Sequence, residues 1–327
     1  MLAFILRRLF QAVLVMLAVG LVAFSLFNYV GDPVNLMLGQ DATPEQREEL
    51  RRDLGLDQPF YIQYARFVGN AVQGEFGLSL RQARPVSTLI KERLPATLEL
   101  AFCAAALALF LGLVMGVYTA LRRRGYFSQV LLTVSLIGVS LPTFLIGILL
   151  IYVFAVTLQW LPSYSRGEVT QLGWWSTGFF NKDGLKALIL PSITLSLGTM
   201  TLIMRLVRSE MLEVLRTDYI KFARARGLSN RAVHFGHALK NTLVPVITIA
   251  GLQLGAIIAF AIVTETVFQW PGMGFLFIQS VQSADIPVMA AYLVMIALIF
   301  VTINLIVDLL YYLVDPRLRI ERSGSAH

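Results

Sequence analysis

Six runs of apolar residues, each about long enough to cross a lipid bilayer, constrain this chain more than any other feature of its sequence. The hydrocarbon core of a bilayer is about 30 Å thick, and a helix needs about 20 apolar residues to cross it. Such runs lie at residues 9–30, 98–121, 130–158, 188–204, 243–267 and 286–314. The sequence therefore predicts an all-α membrane protein with six transmembrane helices.

The composition agrees with a chain whose main solvent is lipid. Of its residues 57% are hydrophobic and 14% are charged, whereas charged residues make up about a quarter of an average soluble domain. The net charge of +7 does not indicate nucleic-acid binding, because the basic residues alternate with apolar runs. The single cysteine, Cys103, lies in an apolar run, which excludes an internal disulfide and a cysteine metal cluster.

The first apolar run is predicted to be a retained membrane anchor. Arg7 and Arg8 precede it, as basic residues precede a secretory signal. Its apolar stretch is longer than the roughly 7 to 15 residues of a signal core, and no convincing small-residue cleavage site follows.

The distribution of lysine and arginine predicts the orientation, because short cytoplasmic loops carry an excess of these residues. Placing the N-terminus in the cytoplasm puts Arg7, Arg8, the three arginines at 122–124, the segment at 205–240 and the tail at 317–322 on the inside. We therefore expect both termini to be cytoplasmic.

The polar residues between the first two runs predict a small helical insertion outside the membrane. Thr43, Pro44 and Gln46 have the pattern of an N-cap, a first-turn proline and a capping-box partner for a helix through Arg52. A second helix is predicted at residues 58–72, with one apolar face at helical spacing. That face, which either caps the external mouth or docks a partner, comprises Phe60, Tyr64, Phe67, Val68 and Ala71.

The basic segment at residues 205–240 is predicted to be helical without crossing the bilayer. Asp218 occupies the expected N-cap position of a short helix ending at Arg226, and Gly227 follows as a C-terminal stop. Ser229 is predicted to cap a second helix at residues 230–241. A helix of about eight residues is marginal in water, so the first one must be held by packing.

The residues of this first helix are compatible with two occupants. Lys221, Arg224 and Arg226 would favour anionic lipid headgroups. An apolar group at spacings i, i+3 and i+4 instead suits a groove on a partner protein. That group consists of Tyr219, Phe222 and Ala223.

The same segment resembles a known signature. It reads DYIKFARARGL at residues 218–228, HALKN at 237–241 and LVPV at 243–246. This pattern is similar to the coupling loop of dipeptide, oligopeptide, glutathione and nickel permeases, which belong to the type I ABC importers. Lys221 and Phe222 depart from the Glu-Ala-Ala triplet of importers in general, whereas Ala223 and Gly227 match it.

Further motifs extend the resemblance along the chain to the first, B-type, of the two paired permeases. They are RRL at 7–9, GDP at 31–33, LGLDQP at 54–59, GEFG at 74–77, LPAT at 94–97, TETVF at 264–268, WPG at 270–272 and DPR at 315–317.

The resemblance implies a MetI-like type I importer fold and a division of the chain. Residues 1–93 would form the first span and the periplasmic insertion, residues 94–316 a permease core of five helices with a coupling loop at 205–242, and residues 317–327 a cytoplasmic tail. It also implies a second permease as heterodimer partner, two cytoplasmic ATPase subunits and a periplasmic solute-binding protein, all at a bacterial inner membrane. The ATPase-coupling residues would be Asp218, Tyr219, Lys221, Phe222, Ala223, Arg224, Ala225, Arg226, Gly227 and Leu228.

The sequence lacks common catalytic and nucleotide-binding motifs, which argues against an enzyme. The chain has no G-x-x-x-x-G-K-[ST] phosphate loop, no G-x-S-x-G and no H-E-x-x-H. His234 and His237 lie one turn apart, but no third metal ligand is near them in sequence. We expect no cofactor, no metal and no catalytic residue, with ATP bound and hydrolysed by partner subunits.

The function implied is import of short peptides, and glutathione, nickel chelates and opines remain as alternative substrates. A secondary transporter driven by an ion gradient is the remote alternative, since it would show inverted repeats and acids near the membrane midplane. The acids of the spans are Glu99, Glu265 and Asp308. We expect water to solvate Glu99 and Glu265 at the outer span ends and a basic residue to pair with Asp308.

Overall fold

The computed structural model describes residues 2–29, 34, 38, 43–53 and 56–314. The motifs at residues 31–33 and 315–317, Leu54 and Gly55 of the LGLDQP motif, and the predicted tail at 317–327 lie outside the described residues.

The described part of the chain is almost entirely helical. Its α-helices are α1 Leu2–Tyr29, α2 Pro44–Asp53, α3 Phe60–Val72, α4 Val86–Leu121, α5 Tyr126–Ser140, α6 Thr143–Leu150, α7 Lys182–Val214, α8 Asp218–Ala225, α9 Leu239–Val267, α10 Met273–Gln282 and α11 Ile286–Val314. Two π-helical segments, Ile151–Thr157 and Ala232–Ala238, extend α6 and precede α9. The short strands β1 Thr170–Leu172 and β2 Trp175–Thr177 pair with each other.

Five of the described helices are long and apolar enough to cross a membrane, and they contain five of the six predicted runs. These are α1, α4, α7, α9 and α11. The predicted all-α membrane fold is therefore confirmed. Helix α4 begins at Val86 and passes through Pro95 without interruption, so the proposed domain boundary at residue 94 falls within a continuous helix and remains a prediction.

The third predicted span, residues 130–158, is not one continuous helix. Helix α5 ends at Ser140, and the segment Thr143–Thr157 turns away from it by 111°. Pro142 has an extended conformation with φ −57° and ψ 136°, and its carbonyl accepts the first bonds of α6, from the amides of Leu145 and Ile146. Proline has no N–H to continue a helix and disfavours helical geometry in the residue before it. The third predicted run is therefore a helix pair broken at Pro142.

The chain forms two compact units. One comprises the described residues of Met1–Thr97, Gln171–Thr177 and Pro271–Val301, and the other those of Leu98–Thr170, Gly178–Trp270 and Thr302–His327.

In the first unit, the predicted insertion helices are present and α3 packs on α1. The capping box of α2 is reciprocal, with the Gln46 amide donating to Thr43 Oγ1 over 3.3 Å and the Thr43 amide donating to Gln46 Oε1 over 3.0 Å. The apolar face of α3 contacts the ring of Phe24 in α1, with ring centroids 5.1 Å apart for Phe60 and 5.7 Å for Phe67. This face is therefore occupied by the chain's own first span.

In the second unit, α7 packs against α5, α6 and α9, and glycines allow helices to approach closely. A Cβ atom added to Gly112 of α4 would lie 2.9 Å from the Cβ of Ile203 in α7. At Gly116 it would lie 2.6 Å from the Cβ of Val207. Small residues at such positions let helix backbones come together in a membrane.

Replacing Gly116 by alanine is expected to destabilise the contact between α4 and α7. The added methyl group must displace the Val207 side chain or the Met204 carbonyl, 2.8 Å away, at a cost of about 1–3 kcal/mol. The thermal stability of the purified protein in detergent would measure this loss. Gly198→Ala in α7 is the matched control, because nothing lies within 4 Å of its added Cβ. Equal melting temperatures for the two variants would contradict the prediction.

Candidate functional site

The short helix α8 has well-defined ends that follow from its sequence. Gly227 has φ +79°, a left-handed conformation that glycine adopts at little cost. Its amide donates to the Arg224 carbonyl over 2.9 Å, and the Leu228 amide donates to the Ala223 carbonyl over 3.3 Å. These two bonds form a Schellman motif, and they confirm the predicted stop at Gly227.

The N-cap of α8 is Thr217. The prediction of Asp218 as the N-cap is therefore wrong. Asp218 is the first residue of the helix, and Thr217 has the extended conformation of a cap. The Thr217 hydroxyl donates to the Val214 carbonyl at the end of α7 over 2.6 Å. Asp218 instead pairs with Lys221 at the exposed surface over 2.8 Å, where a carboxylate in the first turn also complements the helix dipole.

One face of α8 is buried in the second unit. Ile220 is fully buried and Ala223 is 6% exposed. Both belong to a hydrophobic cluster that joins the neighbouring ends of several helices. The other buried members of that cluster are Val117, Ala120, Ile203, Val207, Met211, Val233, Ala238 and Val246. The packing that a helix of this length requires is therefore supplied by the chain itself.

The predicted partner-binding group of Tyr219, Phe222 and Ala223 is therefore wrong in one member. Ala223 faces the interior together with Ile220, whereas Tyr219 is 42% and Phe222 is 64% exposed. Successive side chains of a helix point about 100° apart. The adjacent pairs Tyr219–Ile220 and Phe222–Ala223 therefore place apolar side chains on two sides of α8. Only the neighbouring helices determine which side is buried.

The exposed face of α8 combines aromatic and basic residues. The Arg226 guanidinium lies 5.8 Å from the centroid of the Phe222 ring, within the range of a cation–π interaction. Lys221, Arg224 and Leu228 are also exposed. We call the exposed residues Tyr219, Lys221, Phe222, Arg224, Arg226 and Leu228 the α8 surface.

Helix α8 is also tied to the helical segment that follows it. The side-chain amide of Asn241 donates to the Tyr219 hydroxyl over 2.7 Å and to the His237 carbonyl over 3.1 Å. Ser229 caps this following segment as predicted, with its Oγ accepting the Ala232 amide over 3.3 Å. The segment does not end at residue 241, however, because it continues through the π-helical turn into α9 and so into a transmembrane span.

His234 faces the basic side of this region. Burial and the positive charge of Arg224 both lower the pKa of its imidazole from the ordinary value, since each disfavours the charged form. Within the described ranges, no three His, Cys, Asp or Glu side chains lie together as a metal site would require.

At the opposite end of α4, a buried ion pair joins residues that the sequence did not connect. Arg166 Nε donates to Glu99 Oε2 over 2.9 Å, and its Nη2 also pairs with that oxygen. The Gly178 amide donates to Glu99 Oε1 over 2.9 Å, and the Arg166 guanidinium lies 6.0 Å from the Trp270 ring. The side chains of Glu99 and Arg166 are only 1% and 5% exposed.

The expectation that water solvates Glu99 and Glu265 is therefore wrong, because Glu99 is 3% exposed and Glu265 is fully buried. Arg166, between two spans in the sequence, gave no local signal of its partner. Asp285 was also missed. In the first unit its carboxylate accepts the Ser79 hydroxyl and the amides of Leu80 and Arg81, the latter two over 3.1 and 3.4 Å.

Replacing Glu99 by glutamine is expected to destabilise the protein strongly. It leaves the Arg166 charge buried beside a neutral amide, which costs about 3–5 kcal/mol. The melting temperature in detergent would fall accordingly. Glu92→Gln is the matched control, because its pair with Arg84 is about half exposed and such a pair contributes at most about 1 kcal/mol.

A double variant separates charge burial from side-chain packing. Exchanging Glu99 and Arg166 together for methionine removes both charges and should recover much of the stability lost in Glu99→Gln. A double variant that is no more stable than the single one would contradict this explanation.

The five long apolar helices identify a multi-pass membrane protein. Comparison with known proteins identifies its family. The family described as "Binding-protein-dependent transport system inner membrane component" matches residues 108–320, and the corresponding N-terminal family matches residues 1–101. The chain belongs to this family of inner-membrane transport components.

Curated relatives match over nearly their entire length. The dipeptide transport system permease protein DppB of Alkalihalophilus pseudofirmus is 38% identical, covering 98% of this chain and 100% of the relative. The di/tripeptide transport system permease protein DppB of Pseudomonas aeruginosa is 41% identical with the same coverage. The oligopeptide transport system permease protein AppB of Bacillus subtilis is 40% identical, covering 97% of this chain and 99% of the relative.

A solved structure shares the fold. A chain of the MetNI methionine ABC transporter, solved in inward-facing conformations, superimposes with a TM-score of 0.54. It covers 67% of this chain and 93% of its own, at 19% sequence identity. The predicted MetI-like fold is thus confirmed.

Proposed function

We propose that this chain is a permease subunit that carries short peptides across the bacterial inner membrane in an ATP-driven importer. Its partners would be a second permease, two cytoplasmic ATPase subunits and a periplasmic solute-binding protein. The relatives named for dipeptide, di/tripeptide and oligopeptide transport support the substrate class. The permease itself would be neither catalytic nor dependent on a cofactor, with ATP bound by the ATPase subunits.

The main support for a role of α8 in coupling to an ATPase is that one of its faces is buried and the other is exposed. Its buried face belongs to the cluster of span ends, while the α8 surface offers an exposed aromatic ring surrounded by cations. An aromatic anchor within a basic rim suits an apolar pocket with an acidic rim on an ATPase.

The packing beneath α8 would transmit movement to the spans. Ile220 and Ala223 belong to one hydrophobic cluster together with residues of α4 and α7. Protein interiors are packed about as densely as organic crystals and do not compress to absorb a displacement. An ATPase pair that shifts α8 on closing would therefore shift the attached span ends and alternate the access of the pathway.

The proposed orientation places α8 in the cytoplasm together with both termini. The arginines at 122–124 and the basic residues of 205–240 then lie on the side where positive loops are retained. This is also the side on which an ATPase finds ATP.

Deleting the chain from its host is expected to abolish uptake of labelled di- and tripeptides. The host must have no second peptide importer, and re-expression of the intact chain is the control. Unchanged peptide uptake would refute the substrate class. Import of glutathione, nickel chelates or opines would then be tested with the same strains, and family membership would stand.

Phe222→Asp is expected to weaken ATPase association by about 2 kcal/mol or more, about thirtyfold, and to stop transport. The fold should persist, because the Phe222 side chain is 64% exposed. Co-purification of the ATPase in mild detergent and the melting temperature of the chain give the two measurements. Tyr126→Asp is the matched control, since Tyr126 is 86% exposed and lies beside the arginines at 122–124. Normal association and transport in Phe222→Asp would show that α8 is not the coupling helix.

A further inference from the structure

The connection between the broken third span and α7, residues 158–181, carries exposed aromatic side chains that the transport function does not account for. Outside residues 171–177, which belong to the first unit, the exposed fractions are 65% for Trp160, 65% for Tyr164, 71% for Phe180 and 42% for Phe179. All four belong to the second unit. Exposure of such rings to water is costly, since they carry the largest apolar surfaces of any side chains.

Hydrogen bonds hold these aromatic residues next to the ends of three different spans. The Trp160 amide donates to the Phe154 carbonyl in the π-helical end of the third span, over 2.9 Å. Ser165, which follows Tyr164, donates its amide to the Phe268 carbonyl just after α9, over 3.1 Å. Gly178, which precedes Phe179, donates its amide to Glu99 in α4.

The length of α4 gives the depth of these attachment points. Glu99 and Leu121 lie in one continuous helix, and 22 residues at a rise of 1.5 Å each separate them by about 33 Å. The hydrocarbon core is about 30 Å thick, and the three arginines that follow Leu121 must lie outside it. Glu99, and the segment bound to it, therefore lies at the opposite membrane–water interface.

The charges of the segment favour a lipid interface held by aromatic rings. Residues 158–181 contain two charged side chains, Arg166 and Glu168. Arg166 is buried in the ion pair, so Glu168 is the exposed charge within these residues, and the exposed Lys182 begins α7 directly after them. Tryptophan and tyrosine, whose rings are amphipathic, are the residues enriched at headgroup level in membrane proteins.

We propose that Trp160, Tyr164, Phe179 and Phe180 form an interfacial anchor that inserts among the phospholipid headgroups and upper acyl chains around this end of the bundle. The ion pair of Glu99 and Arg166 fixes the segment to α4, so that the anchor holds the span ends at a constant depth. The inference depends on the chain crossing a bilayer and not on its substrate or orientation.

Spin labels at single cysteines would test the depth of the anchor. Because the chain has one cysteine, Cys103→Ala gives a cysteine-free background. Trp160→Cys, Tyr164→Cys and Phe180→Cys, each labelled with a nitroxide in the full-length chain, are reconstituted into phosphatidylcholine–phosphatidylglycerol nanodiscs. Relaxation by oxygen and by a water-soluble nickel complex is measured. Phe110→Cys, 65% exposed within α4, serves as the hydrocarbon standard, and Glu48→Cys, 74% exposed on the charged helix α2, as the aqueous standard.

The anchor predicts oxygen-to-nickel accessibility ratios at all three sites that lie between the two standards. Ratios equal to that of Glu48→Cys would overturn the proposal. Labels that are aqueous and become immobilised only when an external binding protein is added would identify a protein-docking surface instead, which also overturns it.

Tryptophan fluorescence gives a second test that needs no label. In bilayers of brominated phosphatidylcholine, the bromine atoms quench rings that enter the lipid. Trp160→Phe in the otherwise unaltered chain should lower the quenched part of the emission. An unchanged quenched fraction would contradict insertion of Trp160.

Discussion

The interior of a bilayer offers no water to satisfy a backbone amide or carbonyl, and each unsatisfied group there costs several kcal/mol. The described spans are accordingly helical, and after the break at Pro142 helical hydrogen bonding resumes at once, with Leu145 and Ile146 donating to the Pro142 carbonyl. Since apolar helices gain little by leaving lipid for one another, the contacts between them depend on close approach. Gly112 and Gly116 provide this approach between α4 and α7.

The same helices connect the two ends of the second unit. Helix α4 carries Glu99 near its start and the cluster residue Val117 near its end. Helix α9 contains Asn241, which binds Tyr219 of α8, and leads to Phe268, whose carbonyl accepts the Ser165 amide of residues 158–181. The α8 surface and the aromatic residues proposed as an interfacial anchor are thus linked to opposite ends of the same helices. In the proposed importer, the anchored end would stay at a fixed depth in the membrane while α8 moves with the ATPase subunits.

The spans, the capping box of α2, the cap at Ser229 and the stop at Gly227 could be read from the sequence, because length, composition and local hydrogen bonding determine them. The break at Pro142 could not, since proline within a membrane helix is often accommodated by a simple kink. Ala223 was assigned to the wrong side because α8 is apolar on two faces. The partner of Glu99 lies 67 positions away, and no periodicity connects residues at such a distance.

That separation also has a consequence for how the protein is made. Glu99 leaves the ribosome 67 residues before Arg166, so at roughly 5–20 residues per second several seconds pass before its counter-ion exists. During that interval the Glu99 side chain has no counter-ion and must stay at the aqueous surface, because an isolated carboxylate in hydrocarbon is too costly. The ion pair is therefore completed only after Arg166, which follows the third predicted span in the sequence, has been translated.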